Sequence, residues 1–453
     1  MPKTLLNLLV SSKLWPIWFV VAVVAYIIVG YGIDRGEFSL LVATWLLAFV
    51  AYFLLCRQNL PVNKIVVLAI VLRLVFLMSI PVLSDDFYRF IWDGQLIVHG
   101  LSPYSAIPLD VSAEVQRVID ADGVLIKNMN SAEFYSVYPP LHQLVFAMSA
   151  AVGHSLLSSI IVIRVIILLF EIAMIWLLIK LLLQLQMPSN KVALYAFNPL
   201  VIIEATGNLH LEGIMMTFFI AGMLLLLKGK YYLAGVGFGA SFLVKLSSVI
   251  YLPLLIKNSP LKQGWLWLIS AISVVLLAFL IAFSVEDIIN ALQSVDLYFR
   301  KFEFNASVYY FFRELGIYFS GYNMIQYVGP ILSLISLILI LILSLTKTPE
   351  NQSSIFKRMC WIALIYLLLS TTIHPWYLIP LLVLMVPAGF KFPILWSLTI
   401  IASYSAYSNF PYQENYILIV GEYLLLMFAI WMEWRTPGLL NSFFAVNADE
   451  TPK

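Results

Sequence analysis

The sequence predicts an all-α polytopic membrane protein: one domain over 1–435, a bundle of about 12–14 transmembrane helices, then a polar cytoplasmic tail at 436–453. Three observations carry this. The chain is 62% hydrophobic and only 11% charged, where a soluble domain carries about 25% charged residues. Its apolar residues gather in runs close to the roughly 20 needed to cross hydrocarbon. Its basic residues fall between those runs so that one side of the membrane collects them.

Runs at 14–32, 38–56, 65–83, 157–182, 191–206, 209–228, 264–284, 323–346, 357–374, 393–410 and 415–434 each suit one span. No small-residue cleavage site follows the first, so it is expected to stay as an uncleaved span. Lys3 and Lys13 put the N-terminus inside, and Arg57 and Lys64 fall inside after two spans. The third run then exits near Leu83. The stretch 84–138 holds eight acids against three bases, which suits the outer side. Lys180 and Lys191 belong inside, so 139–153 must not cross. Its Pro139-Pro140 start and short length predict an interfacial helix. Lys228, Lys230, Lys257 and Lys262 all belong inside, so 232–256 must cross an even number of times. Two short helices, broken near Lys245-Leu246-Ser247-Ser248, satisfy this, and broken helices at membrane depth line cavities. With 376–390 as a short span, Lys347, Lys357, Arg358 and Arg435 fall inside, and His374 and Glu414 outside. The outer surface therefore collects 84–156, 207–211, 285–322, 374–376 and 411–414. A net charge of +2 gives no reason to expect a nucleic-acid partner. Cys56 and Cys360 give neither a disulfide framework nor metal-ligand spacing.

The stretch SDDFYRFIWDG, Ser84 to Gly94, sets Asp85, Asp86 and Asp93 beside the membrane, where uncompensated charge is costly. On a helix, Asp85, Arg89 and Asp93 share a face, while Asp86 points about 100° away. One carboxylate can face a site and the other an arginine or a helix N-terminus. The alternative is an interfacial helix with acids at its positive end. Adjacent carboxylates can bind a divalent cation, hold a sugar hydroxyl or act as a general base. GNLHLEG, Gly207 to Gly213, puts His210 and Glu212, with Glu204, at the outer end of apolar segments; a turn capped by Asn208 is the alternative. The segment 298–315 mixes Arg300, Lys301 and Arg313 with eight aromatic rings. It suits a lipid-linked phosphate, a sugar ring or an interfacial amphipathic helix. Within it, Asn305-Ala306-Ser307 matches the glycosylation sequon. HPWYLIP places His374 at the outer end of a span, as a phosphate partner, an acid or base, or part of an aromatic belt. Arg73, Arg164 and Glu171 lie within spans, and the last two, on one face, predict a structural ion pair. Lys245 at the break suits an anionic headgroup.

These motifs resemble the GT-C superfamily of membrane glycosyltransferases, which use polyprenyl-phosphate sugars. The likeness runs from about 65 to 380. SDDFYRFIWDG followed by GLSPY, Gly100 to Tyr104, is similar to the acidic motif and G-x-x-P-Y element of bacterial and GPI-type mannosyltransferases. YPPL, Tyr138 to Leu141, resembles the K-P-P-L element of aminoarabinose transferases, whose fold protein O-mannosyltransferases share; Tyr138 stands in place of the Lys. GNLHLEG resembles the second acidic motif, with Glu212 at the acid, and 237–248 resembles the broken helix pair.

The resemblance implies a GT-C-like bundle with an outward-facing cavity and two juxtamembrane helices in the first large outer loop. It implies an inverting hexosyltransferase, with mannose favoured. The donor would be a polyprenyl-phosphate sugar, and the acceptor a hydroxyl on a glycan, lipid or protein. Asp85 is the expected base, with Asp86 as rival or helper, and Glu212 completes the acidic site. Arg89, Asp93, Tyr104, Tyr138 and His210 are expected to bind substrate. Lys245, Arg300, Lys301 and His374 are expected to meet the leaving phosphate. No cofactor is required, and a divalent cation is permitted. The site would face the periplasm from a bacterial cytoplasmic membrane, among membrane lipids. A transporter or lipid-linked sugar flippase is the rival; it accounts for the spans but poorly for the long acidic outer loop. A catalytically dead scaffold would tolerate loss of every acid.

Overall fold

The computed structural model describes residues 14–259, 261–346, 352–408 and 412–436. Lys3, Lys13, Lys347 and the tail beyond 436 lie outside the described residues. Helices α1 (Trp15–Tyr31), α2 (Phe38–Cys56) and α3 (Val62–Leu74) precede the first large loop. That loop opens with α4 (Asp86–Val98) and closes with α5 (Pro140–Val152). Then follow α6 (Leu156–Gln184), α7 (Glu212–Leu227), α8 (Tyr231–Val244), α9 (Leu261–Ala282), α10 (Val285–Arg300) and α11 (Val308–Ser320). The chain continues through α12 (Ile325–Leu345), α13 (Gln352–Leu369), α14 (Ile379–Ala388), α15 (Phe392–Thr399) and α16 (Tyr416–Arg435). Among the described residues, extended backbone pairs only at one bridge, Phe304 with Thr372.

Among the described residues, six helices are long and apolar enough to cross a membrane, and six further apolar helical segments are shorter. Large apolar side chains stay uncovered on the long helices, such as Leu169 on α6 and Leu280 on α9. Such a surface needs lipid rather than water around it. The protein is an all-α, multi-pass membrane protein.

The two ambiguous segments show the break and the short helix expected of them. α8 stops at Val244, Lys245 is extended, and a tight turn over Leu246–Tyr251 leads into Leu252–Asn258. α5 has Pro140 in its first turn, where a missing N–H is harmless. It is about 20 Å long, short of the roughly 30 Å hydrocarbon core. α5 lies along α4, and Gly94 lets the two backbones meet: a Cβ there would stand 2.2 Å from the Phe146 carbonyl oxygen.

Two runs depart from expectation. α3 ends at Leu74 rather than continuing to Leu83, and Pro81 bars a helix through the residue before it. The run 191–206 is not a straight span. It breaks at Asn198, whose side chain accepts from the N–H groups of Leu200 and Val201 and starts a new turn at Pro199. The resulting segment Pro199–Gly207 meets α7 at 111°, with Leu209 at φ 65° in the corner. Asn208 does not cap α7. Its amide donates to Glu204, and its carbonyl accepts from the Leu83 N–H.

The intramembrane charges also pair otherwise than expected. Glu171 binds Arg73 at 2.9 Å and accepts from the Tyr195 hydroxyl. Arg164 instead donates to the carbonyls of Leu77, Ser79, Thr206 and Gly207 at 2.7 to 3.0 Å. Irregular backbone at membrane depth needs such donors. Cys56 and Cys360 are both buried and free.

Candidate active site

A cavity of about 820 Å³ opens between α4, the loop before α5, the break at Lys245, α12, α13 and the turn after α13. That is the size of a small-molecule site. Apolar side chains including Met215, Ile250, Leu337, Ile340, Ala363 and Leu367 line one part. Ile340 lies about 22 Å along α12 from Ile325, so this arm runs deep between helices. Asp85, Asp86, His210, Glu212, Lys245 and His374 line the polar part. The first and second acidic motifs, far apart in the chain, thus share one space.

The two adjacent aspartates have different neighbours. Asp85, just before α4, pairs with Arg35 at 2.6 Å, and that guanidinium lies 3.6 Å above the Tyr407 ring. Asp86, the first residue of α4, accepts from the Asn130 amide at 3.1 Å. His210 Nε2 lies 3.8 Å from its other oxygen. Burial pushes the Asp86 carboxyl up, but the His210 contacts and the Asn130 hydrogen bond outweigh it and hold the group at about 2. Asp86 is therefore ionised and held by groups that leave it facing the cavity.

His210 belongs to a stack of four rings. It lies face to face with Trp376 at 3.6 Å. Trp376 stacks on His374 at 4.4 Å, and His374 on Phe304 at 4.6 Å. Burial lowers the His374 imidazole to about 3, against the pull of Asp86, so it is neutral here. Glu212, in the first turn of α7, binds Lys245. An ammonium carries three donors, and Lys245 keeps 28% of its side chain exposed toward the cavity.

Other candidates sit elsewhere. Asp93 is fully buried and does not line the cavity; it holds Arg89 at 2.7 Å together with Ser136 and Gln143. Arg89 reaches the cavity wall, but it also donates to the carbonyls of Ser131 and Phe134 and so anchors the loop. Tyr104 is buried away from the cavity, its hydroxyl on the Tyr138 carbonyl and its ring against Phe283. Tyr138 does line the cavity and packs on Phe90. Arg300 is half exposed and paired with Asp296. Lys301 lies 5.6 Å from the Phe134 ring. Neither basic group lines the cavity. Arg313 binds Glu303 and Glu314.

Arg35, Asn130 and Tyr407 were not singled out from the sequence. Arg35 carried a signal, being a basic residue in a turn that the charge pattern assigns to the outer side. Asn130 sits in a polar loop with no distinguishing pattern. Among the described residues, no three His, Cys, Asp or Glu side chains group closely enough to hold a metal ion.

Comparison with known proteins covers the half of the chain that carries both acidic motifs. Over 194 residues the chain is 26% identical to alpha-(1->6)-mannopyranosyltransferase A of Mycobacterium tuberculosis (strain ATCC 25618 / H37Rv), a stretch that is 42% of this chain. It covers 34% of that relative, so the match spans about a third of the relative's length. A family model described as alpha-(1->6)-mannopyranosyltransferase, N-terminal domain, matches residues 11–259. That range holds Arg35, both aspartates, His210, Glu212 and Lys245, and it is more than half of the sequence: the chain belongs to the alpha-(1->6)-mannopyranosyltransferase family.

Proposed function

We propose that this protein transfers a mannosyl unit from a polyprenyl-phosphate donor to a hydroxyl of a glycan acceptor, with inversion, at the outer face of a bacterial cytoplasmic membrane. The observation that carries the reading is one cavity with an ionised carboxylate at its polar part and a deep apolar arm. The apolar arm suits a prenyl chain. The outer rim, with Phe134, Tyr135, Phe302 and Glu303, suits a sugar acceptor.

Asp86 is the base in this reading, in preference to Asp85. The Asp85 carboxylate is committed to Arg35, whereas Asp86 is oriented by neutral Asn130 and by His210. Asp86 takes the acceptor hydroxyl proton as that oxygen attacks the anomeric carbon. The bond from that carbon to the phosphate oxygen breaks, and the phosphate leaves with the electron pair. Lys245, steadied by Glu212, turns its remaining donors to the departing phosphate. Glu212 then acts on the lysine rather than on the sugar.

The test is transfer from mannosyl-phosphopolyprenol to an oligomannose acceptor in proteoliposomes. Asp86→Asn should lower turnover about 10²–10⁴-fold with unchanged membrane insertion. Asp85→Asn should lose less. Full activity in Asp86→Asn sinks the assignment. Passage of labelled lipid across the bilayer without cleavage of the sugar–phosphate bond would favour a transporter.

A further inference from the structure

The four-ring stack beside Asp86 ends at Phe304, and the next residue is unusual. Asn305 is a non-glycine residue at φ 45° and is fully buried. Holding an L-residue in the left-handed region costs about 1 kcal/mol or more, and asparagine tolerates it better than most. Such a conformation persists only where its surroundings impose it. Here they do. The Asn305 N–H donates to Glu414 at 2.6 Å, and its carbonyl accepts from the Tyr423 hydroxyl at 2.5 Å. Its side-chain amide donates to Glu422 at 3.3 Å. Glu422 lies buried on the spanning helix α16 and also accepts from Trp396 Nε1 at 2.8 Å.

On the other side, the Phe304 N–H donates to the Thr371 carbonyl, and the Phe304 carbonyl accepts from the Ile373 N–H. These two bonds tie the strap at 303–305 to the residues just before His374. The strap is thus bound to α16 through Asn305 and to the histidine turn through Phe304. The stack Phe304, His374, Trp376, His210 then runs from that junction to within 3.8 Å of Asp86. Burial of Asn305 also removes its sequon from reach of glycosylation in the folded protein.

We propose that Asn305 is a positioning residue: by clamping Phe304 against the His374 turn, it fixes the ring stack and so the approach of His210 to Asp86. This rests on the assignment of Asp86 above, so the test has one arm that needs no turnover. In protein carrying labelled histidine, the His210 ring protons should show the upfield shift of an imidazole stacked on indole. Asn305→Ala should move those signals toward ordinary values, while Asp86→Asn should leave the stacking shift in place. In transfer assays, Asn305→Ala should lower kcat about tenfold with donor KM within about twofold. The loss should disappear in a His210→Ala background, because residues acting through one another are not additive. Asn305→Gly keeps access to the left-handed backbone but lacks the amide, and serves where the alanine variant folds poorly. Unmoved His210 signals in both variants, or losses that add to His210→Ala, would overturn the proposal. Moved signals with no transfer by the parent protein would leave the clamp standing and remove the enzymatic reading instead.

Discussion

At the scale of single residues, the site depends on groups whose charge state burial decides. Burial lowers His142 to about 3, with Lys245 adding to the effect, and its Nδ1 lies 2.8 Å from the Val244 carbonyl. Burial does the same to His374. In the unfolded chain both imidazoles take up a proton near pH 6.5. Below that pH the unfolded chain binds more protons than the folded one, so stability falls as pH falls. The contribution is complete above about 6.5 and is lost on the way to about 3, at roughly 1.4 kcal/mol per pH unit for each histidine. Asp86 is lowered too, but its contribution is lost only below about 4, nearer its folded value of about 2. In thermal melts in detergent from pH 7.5 to 4.5, the two histidines should therefore add a downward slope with acid. Relative to the parent, His142→Gln should lose stability less steeply as the pH falls. An unchanged slope would mean that His142 is protonated in the folded protein.

At the scale of elements, the pair α4 and α5 brings Asp86 and His142 to the same cavity, and Gly94 sets their spacing. Gly94→Ala would place a methyl group 2.2 Å from the Phe146 carbonyl oxygen and 2.6 Å from its carbon, and that backbone cannot swing aside. The helices must separate, at about 1–3 kcal/mol for overpacking of this kind. Melting temperature and transfer rate should both drop. Alanine at Gly100, with φ 75° and nothing within 4 Å, should lower stability through backbone strain but leave the rate near normal. Equal rate losses in the two variants would refute the spacing argument. Helix lengths and charge parity made much of this level legible from sequence, including the break at Lys245 and the short α5. The corner at 198–211 was not, because apolar residues continue through it and hide the turn. Its cue was Asn198-Pro199, a turn-starting pair inside an apolar run.

At the scale of the whole molecule, sequence shows that charges are buried but not which of them meet. Helical spacing suggested Arg164 with Glu171, yet Arg73 arrives from another helix and takes the carboxylate. The acidic motifs at 85 and 212 were legible as one candidate site because the charge pattern assigns both to the outer side. Arg300 and Lys301 are assigned to the same side by that pattern and still miss the cavity, since side of membrane is a coarser coordinate than position in a bundle. The Arg73–Glu171 pair joins α3 to α6, with Arg73 also on the Ala69 and Ala196 carbonyls and Glu171 on Tyr195. Both side chains are at most 1% exposed. Removing one partner strands a charge in a low-dielectric interior and costs about 3–5 kcal/mol, whereas replacing both by apolar groups can be nearly neutral. Arg73→Met and Glu171→Met should each sharply lower the midpoint of unfolding in detergent. The double variant should recover much of that loss, because neither charge is then left alone. If the double variant falls by the sum of the single losses, the pair is not coupled, and each residue holds the bundle through its backbone and tyrosine contacts instead.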